Sequence, residues 1–271
     1  MTSKGPDIKL GNDYPFVNYI ERRVIKDKLS PCAVLGEIKR EHLFKTNISK
    51  TTLYRYISMG IFPHLKMKHL PVGEKKKHYR KPVAKRPPKG LSIEKRPNEI
   101  SQRNSFGHWE MDTVYSGKDG SCALLVLTER LSRKEIIEKM RDRTAISTVR
   151  ALNRIERRFG ALFPRVFQTI TVDNGGEFSD VKSLERSILR KGRRTKMYYC
   201  HPYTSCERGS NECANKMVRR KFPKGTDFNK VSRAEVKKAE EWMNNYPREI
   251  LGWKTAEIVF AECLEELARE A

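Results

Sequence analysis

The order of strand-like and helix-like segments between residues 107 and 221 constrains the fold more than any other feature of this sequence. Runs of β-branched and aromatic residues predict strands, and apolar residues three or four positions apart predict helices. The predicted strands span 107–117, 123–128, 134–143, 167–178 and 195–201, and the predicted helices span 144–163, 179–192, 209–221 and 232–246. This order predicts a layered α/β domain, in which the later strands lie parallel and are joined by right-handed crossovers.

Two aspartates interrupt predicted strands of this domain. Asp112 lies within "WEMDTV" on the first strand, and Asp173 ends "TITVD" on the fourth. Taken singly, Asp112 fits a half-exposed strand residue and Asp173 fits a turn former before Asn-Gly. If the two strands are neighbours, the carboxylates face each other, and a divalent metal ion would relieve their repulsion. Two Mg²⁺ ions about 4 Å apart can stabilise the attacking and leaving oxygens of a phosphodiester displacement.

A site of this kind needs a third carboxylate, and the segment "HPYTSCERGSNECANK" (201–216) offers two candidates. Glu207 lies in a predicted loop, and Glu212 lies near the start of the predicted helix 209–221. The residues of this segment, taken alone, leave both glutamates open as the third ligand.

The charge of the chain indicates a polyanionic partner. The sequence contains 56 Lys and Arg against 33 Asp and Glu, a formal net charge of +23, and more than half of this excess lies in residues 1–105. A field of this sign attracts nucleic acid. The N-terminus lacks the apolar stretch of a signal peptide, and no apolar run approaches the roughly 20 residues of a membrane span. The six scattered cysteines include no Cys-x-x-Cys pair, which disfavours a structural zinc site.

The basic N-terminal region contains two predicted helices, 30–43 and 47–62, with Ser30 and Ser49 as candidate caps. Two short helices in close succession are typical of a helix-turn-helix, although an ordinary helical hairpin has the same pattern. In the helix-turn-helix interpretation the second helix offers five residues to DNA: Lys50, Thr51, Thr52, Tyr54 and Arg55.

The composition then predicts three regions. Residues 1–73 form the helix-turn-helix region, residues 74–104 form a basic linker extended by its prolines, and residues 105–265 form the α/β domain.

Four motifs in order make the chain resemble a known family. "WEMDTV", "TVDNGGEF", "HPYTSCERGSNECANK" and "FPKGTDF" together resemble the integrase core of bacterial insertion-sequence transposases, in the group named after insertion sequence thirty. The likeness extends over almost the whole chain, including "LGWKT" at 251–255. It implies a ribonuclease-H-like catalytic core with a mixed five-stranded sheet and flanking helices, and an Asp, Asp, Glu triad that uses two Mg²⁺ or Mn²⁺ ions.

The resemblance favours Glu212 as the third catalytic and metal-binding residue, beside Asp112 and Asp173. The family's glutamate follows "RG-x-N", which here is "RGSNE", although the 38 residues between Asp173 and Glu212 exceed the family's usual count and Glu207 would give 33. Placement in the first helical turn also favours Glu212. We expect four further DNA contacts around this helix, with a solvated basic face as the ordinary alternative for the last two: His201, Asn215, Lys216 and Arg219. Glu110 and Glu177 lie near the site as supporting or capping groups.

The sequence departs from the family at several positions. Cys206 and Cys213 stand where the family usually has Trp and Asn, and "KTA" at 254–256 replaces "KTP". Family members generally carry a further helix-turn-helix upstream, so we expect a copy truncated at its N-terminus.

The resemblance predicts a transposase that binds the terminal inverted repeats of an insertion sequence and catalyses strand cleavage and strand transfer. Its partner is double-stranded DNA, both element ends and target, on which it assembles as a homo-oligomer, and its location is the cytoplasm at the nucleoid. The alternative is a catalytically weak or inactive truncated transposase that acts as a DNA-binding repressor.

Overall fold

The computed structural model of the protein describes residues 8–71, 90–117, 120–201 and 209–270. Its contacts divide the chain into two units. Unit 1 contains Met1–His78 and Tyr246–Thr255, and unit 2 contains Tyr79–Asn245 and Ala256–Ala271. The segment 246–255, which the sequence analysis assigned to the α/β domain, therefore groups with the N-terminal region.

Unit 1 is built on three helices, α1 (Tyr14–Ile25), α2 (Pro31–Glu41) and α3 (Lys50–Ser58). Ser30 and Ser49 cap α2 and α3, since each hydroxyl accepts a hydrogen bond from the backbone N–H three residues later. Helix α1 was not predicted. Its buried residues join those of α3 in one apolar core, which includes Phe16, Ile20, Leu53, Ile57 and Phe62.

The connection between α2 and α3 is longer than predicted. Eight residues, 42–49, separate the two helices, whereas the turn of a helix-turn-helix usually has three or four. His42 ends α2 in the left-handed conformation, with φ of 52°. The predicted caps Ser30 and Ser49 are thus confirmed, whereas the helices end earlier than predicted, at Glu41 and Ser58, and do not follow each other closely.

The segment 246–255 packs against α2 within unit 1. The Tyr246 hydroxyl accepts a 2.8 Å hydrogen bond from the backbone N–H of Ser30, the α2 cap. The Trp253 indole lies against Gly36, where an added Cβ would come within 2.0 Å of the ring. Gly36 is therefore required because the ring occupies the space of a side chain.

Substituting Gly36 tests this contact. The Gly36→Ala variant forces Trp253 off α2, and we expect a loss of about 1–3 kcal/mol in the free energy of unfolding, as for other overpacked sites. Urea unfolding of a double-mutant cycle with Trp253→Ala measures the coupling. In the Trp253→Ala variant, Gly36→Ala should lower the free energy of unfolding much less than it does in wild type. Equal losses of unfolding free energy in the two proteins would contradict the contact.

Unit 2 contains one five-stranded sheet, in the order β3-β2-β1-β4-β5. Its strands are β1 (His108–Tyr115), β2 (Ala123–Glu129), β3 (Glu135–Met140), β4 (Thr169–Val172) and β5 (Lys196–Tyr199). Strands β1, β2 and β3 pair antiparallel, whereas β4 pairs parallel with both β1 and β5. This mixed sheet confirms the predicted fold class, and the pairing of β1 with β4 meets the condition under which Asp112 and Asp173 face each other.

The described helices of unit 2 lie along the chain as α4 (Asn98–Ser101), α5 (Ala145–Phe159), α6 (Phe163–Val166), α7 (Val181–Glu185), α8 (Gly209–Lys221), α9 (Arg233–Asn244) and α10 (Ala256–Arg269). Helix α8 has the predicted bounds, and α10 was not predicted. Among these described helices, none combines the length and apolar character that a membrane crossing requires.

The two faces of the sheet differ in character. Trp109 and Met111 of β1 point into the main core, where Trp109 stacks on Phe167 at 4.5 Å between ring centres and contacts Phe260 of α10. The alternate residues of β1 lie on the opposite face, because successive strand residues point to opposite sides. Helix α8 packs against that second face, through contacts with β1 and β2.

Helix α9 covers the edge strand β3 with polar side chains. Glu240 accepts a 2.7 Å hydrogen bond from the Ile137 N–H, and Asn244 bonds both the N–H and the C=O of Glu135. These contacts satisfy backbone groups that an exposed edge would offer to another strand.

The end of the predicted linker is an ordered part of unit 2. Leu91 accepts a 2.8 Å hydrogen bond from the Tyr199 N–H, and Ser92 forms a parallel bridge with Tyr199 beyond β5. An added Cβ at Gly90 would lie 2.6 Å from the Tyr199 ring. Residues 90–104 therefore pack on the sheet rather than extend from it.

The predicted helix 179–192 is wrong for most of its length, since α7 ends at Glu185. The residues that follow are held by Arg194, which is 1% exposed and pairs with Glu156 at 3.0 Å. Arg194 also donates to the backbone carbonyls of Ser183 and Leu184. Tertiary hydrogen bonds thus replace the helical ones here.

Candidate active site

Asp112 and Asp173 lie on neighbouring parallel strands. The register pairs His108 with Thr169 and Glu110 with Thr171, and the same offset brings Asp112 opposite Asp173 just beyond the end of β4. Asp112 follows Glu110 by two positions and Asp173 follows Thr171 by two positions, so both aspartates lie on the sheet face that α8 covers. The sheet therefore brings together the two aspartates that the sequence analysis singled out.

Asp112 is held by hydrogen bonds on both carboxylate oxygens. Its Oδ1 accepts from the Thr113 N–H at 2.8 Å, and its Oδ2 accepts from the Asn215 amide at 2.8 Å. Asn215 lies in α8, so this hydrogen bond joins α8 to Asp112, and the DNA contact of Asn215 stays a prediction.

Asp173 begins a tight turn after β4. Its Oδ1 accepts a 2.8 Å hydrogen bond from the Gly175 N–H, and the Asn174 amide donates to the Cys200 carbonyl at 2.7 Å. An added Cβ at Gly175 would lie 2.9 Å from Asp173 Oδ1 and 2.5 Å from Glu177 Oε2. The glycine lets the two carboxylates approach the backbone closely.

Glu212 lies in the first turn of α8, where its side chain is exposed. It precedes Asn215 by three positions, so the two share one side of the helix. Among the described residues, no group of three or more acidic, His or Cys side chains is gathered closely enough to hold a metal ion. Glu207 and Cys206 lie outside the described residues.

Glu177 connects the strands that carry the aspartates. Its carboxylate is 3% exposed, and its Oε1 accepts from the Thr113 hydroxyl at 2.6 Å and from Arg143 Nε at 2.7 Å. Burial acts to raise the pKa of Glu177, but the hydrogen bonds from Arg143 and Thr113 lower it overall. Glu177 therefore remains ionised beside Asp173.

A buried polar row precedes the aspartates on the same sheet face. Glu110 is fully buried, accepts a 3.0 Å hydrogen bond from the Asn211 N–H of α8, and lies 3.5 Å from Arg130 Nε. Burial and the charge of Arg96 lower the pKa of Arg130 to about 10. His108, bonded to Thr169 at 2.8 Å, has a pKa lowered to about 4 by burial and by these arginines.

The other predicted DNA contacts of unit 2 occupy different environments. His201 bonds Glu94 at 3.0 Å and Lys216 is exposed on α8. Arg219 donates to the Tyr115 carbonyl at 3.0 Å, and burial lowers its pKa. His201 and Lys216 are thus exposed, while Arg219 is tied to the end of β1.

The predicted contacts of α3 divide into exposed and packed side chains. Lys50, Thr51 and Arg55 are exposed. Thr52 is half-buried and bonds Ser49. Tyr54 is also half-buried, and its hydroxyl accepts a weak 4.0 Å hydrogen bond from the Cys32 thiol. Burial raises the pKa of Tyr54 to about 12. Three of the five residues therefore remain accessible to a ligand.

Comparison with known proteins agrees with this architecture. The family profile of the integrase core domain matches residues 102–205. The chain is 33% identical over 223 residues to a probable transposase for insertion-like sequence element IS1161 of Streptococcus salivarius, which covers 81% of this chain and 60% of that protein. It is 30% identical over 249 residues to transposase InsI for insertion sequence element IS30A of Escherichia coli, and the match covers 86% of this chain and 62% of that protein.

The mixed five-stranded sheet of unit 2 and the profile match over residues 102–205 agree on the ribonuclease-H-like fold of an integrase core. The chain is a homologue of insertion-sequence transposases, among them those of insertion sequence thirty. It spans about 60% of the length of the two relatives described above.

Among solved structures, the catalytic core domain of BIV integrase is similar, with a TM-score of 0.45 and 17% sequence identity, covering 60% of this chain and 99% of that domain.

Sequence reasoning missed Arg143 and Arg130. Arg143 lies in the turn between β3 and α5, 34 positions from its partner Glu177. Arg130 follows β2 and lies buried beside Glu110. In a chain with 56 Lys and Arg, neither residue carries a signal that separates it from the surface charges.

The buried His108 predicts a pH dependence of stability. Its pKa of about 4 in the folded chain lies below the ordinary 6.5, so between these values only the unfolded chain binds the proton. Stability therefore falls as the pH drops from 7 to 5, and the loss from this residue levels off below pH 4. In urea unfolding, wild type should lose about 2 kcal/mol more than His108→Gln between pH 7 and pH 5. Parallel losses in the two proteins would show that His108 titrates normally.

Proposed function

We propose that the chain is a transposase that binds the terminal inverted repeats of an insertion sequence and catalyses metal-dependent cleavage and strand transfer of DNA. The observation that carries this proposal is the register of β1 and β4, which aligns Asp112 with Asp173 beneath α8. Homology to insertion-sequence transposases supplies the reaction class.

The donor set fits divalent metal ions. Asp112 and Asp173 offer hard carboxylate oxygens from adjacent strands, which are the ligands that Mg²⁺ and Mn²⁺ prefer. Two bound ions would activate the attacking oxygen and stabilise the leaving one. Water is then the nucleophile for cleavage and the freed 3′-hydroxyl is the nucleophile for strand transfer, so no covalent link to the protein is needed.

Glu212 is the proposed third ligand. Asn215 points from α8 to Asp112, and Glu212 lies one turn earlier on that side of the helix. The start of a helix favours a carboxylate because of the positive end of the helix dipole. Asn215 keeps the Asp112 carboxylate in one orientation, which is the role of outer hydrogen-bond partners at metal sites.

The proposed partner is double-stranded DNA, as element ends and as target. Unit 1 binds the repeat through the exposed side of α3, and the overall charge of +23 supplies sequence-independent attraction. The protein acts on two element ends as a homo-oligomer, in the cytoplasm at the nucleoid.

Single substitutions of the three carboxylates test the catalytic assignment. Asp112→Ala, Asp173→Ala and Glu212→Ala should each abolish nicking of a labelled duplex carrying the repeat that flanks the gene, with binding retained. Residual cleavage should fall at least 1,000-fold, since a lost metal ligand removes several kcal/mol of transition-state stabilisation.

Glu207→Ala serves as the matched control for the third ligand. Full activity of Glu212→Ala together with loss in Glu207→Ala would transfer the assignment to Glu207. If wild type binds the duplex but never nicks it with Mg²⁺ or Mn²⁺, the chain is a repressor rather than an enzyme.

The role of α3 is tested by charge removal. The Lys50→Ala, Arg55→Ala double variant should weaken binding to the repeat and lower the slope of log Kd against log salt by about 2, because two phosphate contacts are lost. Lys26→Ala with Lys68→Ala removes the same charge from exposed positions of unit 1 outside α3. Equal slopes in the two double variants would remove the support for α3 as the DNA-contacting helix.

A further inference from the structure

Arg143 lies at the edge of the candidate active site and has no role in the mechanism above. Its side chain is 44% exposed, and its Nε donates to Glu177 at 2.7 Å. The guanidinium carbon lies 4.8 Å from the centre of the Tyr115 ring. Among the described residues, its two terminal nitrogens have no hydrogen-bond partner. Arg143 is therefore held on two sides and presents an unused pair of donors to solvent.

The anchor of Arg143 is tied to both aspartate-bearing segments. Glu177 accepts from the hydroxyl of Thr113, the residue after Asp112, and its other oxygen lies against Gly175 in the Asp173 turn. One buried carboxylate thus sets the position of Arg143 relative to both aspartates. Because Glu177 Oε1 already accepts two hydrogen bonds, we assign it a positioning role.

The turn that carries Arg143 is rigid. The Thr144 hydroxyl donates to Asp142 at 2.6 Å and accepts from the Ser147 N–H at 3.2 Å, which caps α5. These bonds fix the residues on both sides of Arg143, so little conformational entropy is lost when it binds a ligand.

A second arginine, Arg219, also contacts Tyr115. Arg219 of α8 donates through one terminal nitrogen to the Tyr115 carbonyl, and its other terminal nitrogen is buried without a partner. Tyr115 follows Asp112 by three positions on β1, about 10 Å along the strand. The two guanidinium groups thus form a positive rim beyond the catalytic carboxylates.

We propose that Arg143 binds a backbone phosphate of the DNA next to the scissile one, with Glu177 as its positioning residue and Tyr115 as its stacking platform. This inference rests on the proposed function. A guanidinium donates two parallel hydrogen bonds to one phosphate, and an arginine held by a carboxylate and a ring is already oriented for this contact. The negative charge of the DNA backbone is complementary to the positive rim formed by Arg143 and Arg219.

The test compares Arg143→Gln with wild type on a labelled duplex that carries the repeat flanking the gene. Glutamine keeps an amide donor for Glu177 but removes the charge. We expect about tenfold weaker binding, a salt slope lower by about 1, and an unchanged melting temperature. Arg141→Ala is the matched control, since Arg141 is exposed in the same turn, and it should leave cleavage rate and binding within twofold of wild type.

The positioning role of Glu177 has its own readout. Glu177→Gln should lower cleavage and weaken DNA binding in wild type, but should add little to the binding defect when Arg143 is already Gln, because Glu177 acts on DNA through Arg143. Tyr115→Leu should weaken binding by a smaller factor than Arg143→Gln.

Three results would overturn the inference. The first is a salt slope in Arg143→Gln equal to that of wild type. The second is a loss of DNA binding in Arg141→Ala equal to that in Arg143→Gln. The third is additive binding defects in the variant that carries both Glu177→Gln and Arg143→Gln. Failure of wild type to nick DNA with either metal would instead reject the proposed function, and the salt slopes would still decide whether Arg143 contacts DNA.

Discussion

The parallel pairing of β1 with β4 is the interaction on which the candidate site depends. Its three register pairs set the offset that aligns Asp112 with Asp173, and strand alternation puts both on the face beneath α8. A shift of one residue would turn one aspartate into the aromatic core around Trp109. On this face the register also pairs His108 with Thr169, whose side chains are hydrogen-bonded, so the same strand pairing supports both the buried polar row and the geometry of the site.

Much of this arrangement could be predicted because it follows from local patterns. The order of strands and helices predicted an α/β domain with parallel later strands, and the family resemblance predicted the mixed five-stranded sheet. The acidic residues within apolar strands indicated Asp112 and Asp173. Helix α8 begins and ends where its glycine and basic residues indicate. The role of Glu212 as the third metal ligand remains a prediction, since it rests on the family motif and on the place of Glu212 in the first turn of α8.

The remainder could not be predicted because it depends on contacts distant in sequence. Residues 186–192 belong to the predicted helix but lie outside α7. Arg194 instead bonds Glu156, which lies 38 positions earlier, and the carbonyl of Leu184, ten positions earlier. The Thr113, Glu177 and Arg143 network joins a strand, a turn after β4 and a turn before α5. Residues 90–104 were assigned to a linker because the segment 74–104 is basic and contains several prolines. The backbone at Leu91 nevertheless bonds Tyr199 at the end of β5.

The discontinuity of unit 1 affects how the protein can be divided. Tyr246 packs on its core and Trp253 lies against Gly36 of α2, and both follow α9 and precede α10 in the chain. A fragment ending at residue 78 would leave the α2 cap without its tyrosine partner and Gly36 without its indole. A contiguous fragment that contains all of unit 1 must therefore also contain the part of unit 2 between residues 79 and 245. Dividing the gene after residue 78 removes the segment 246–255 from unit 1.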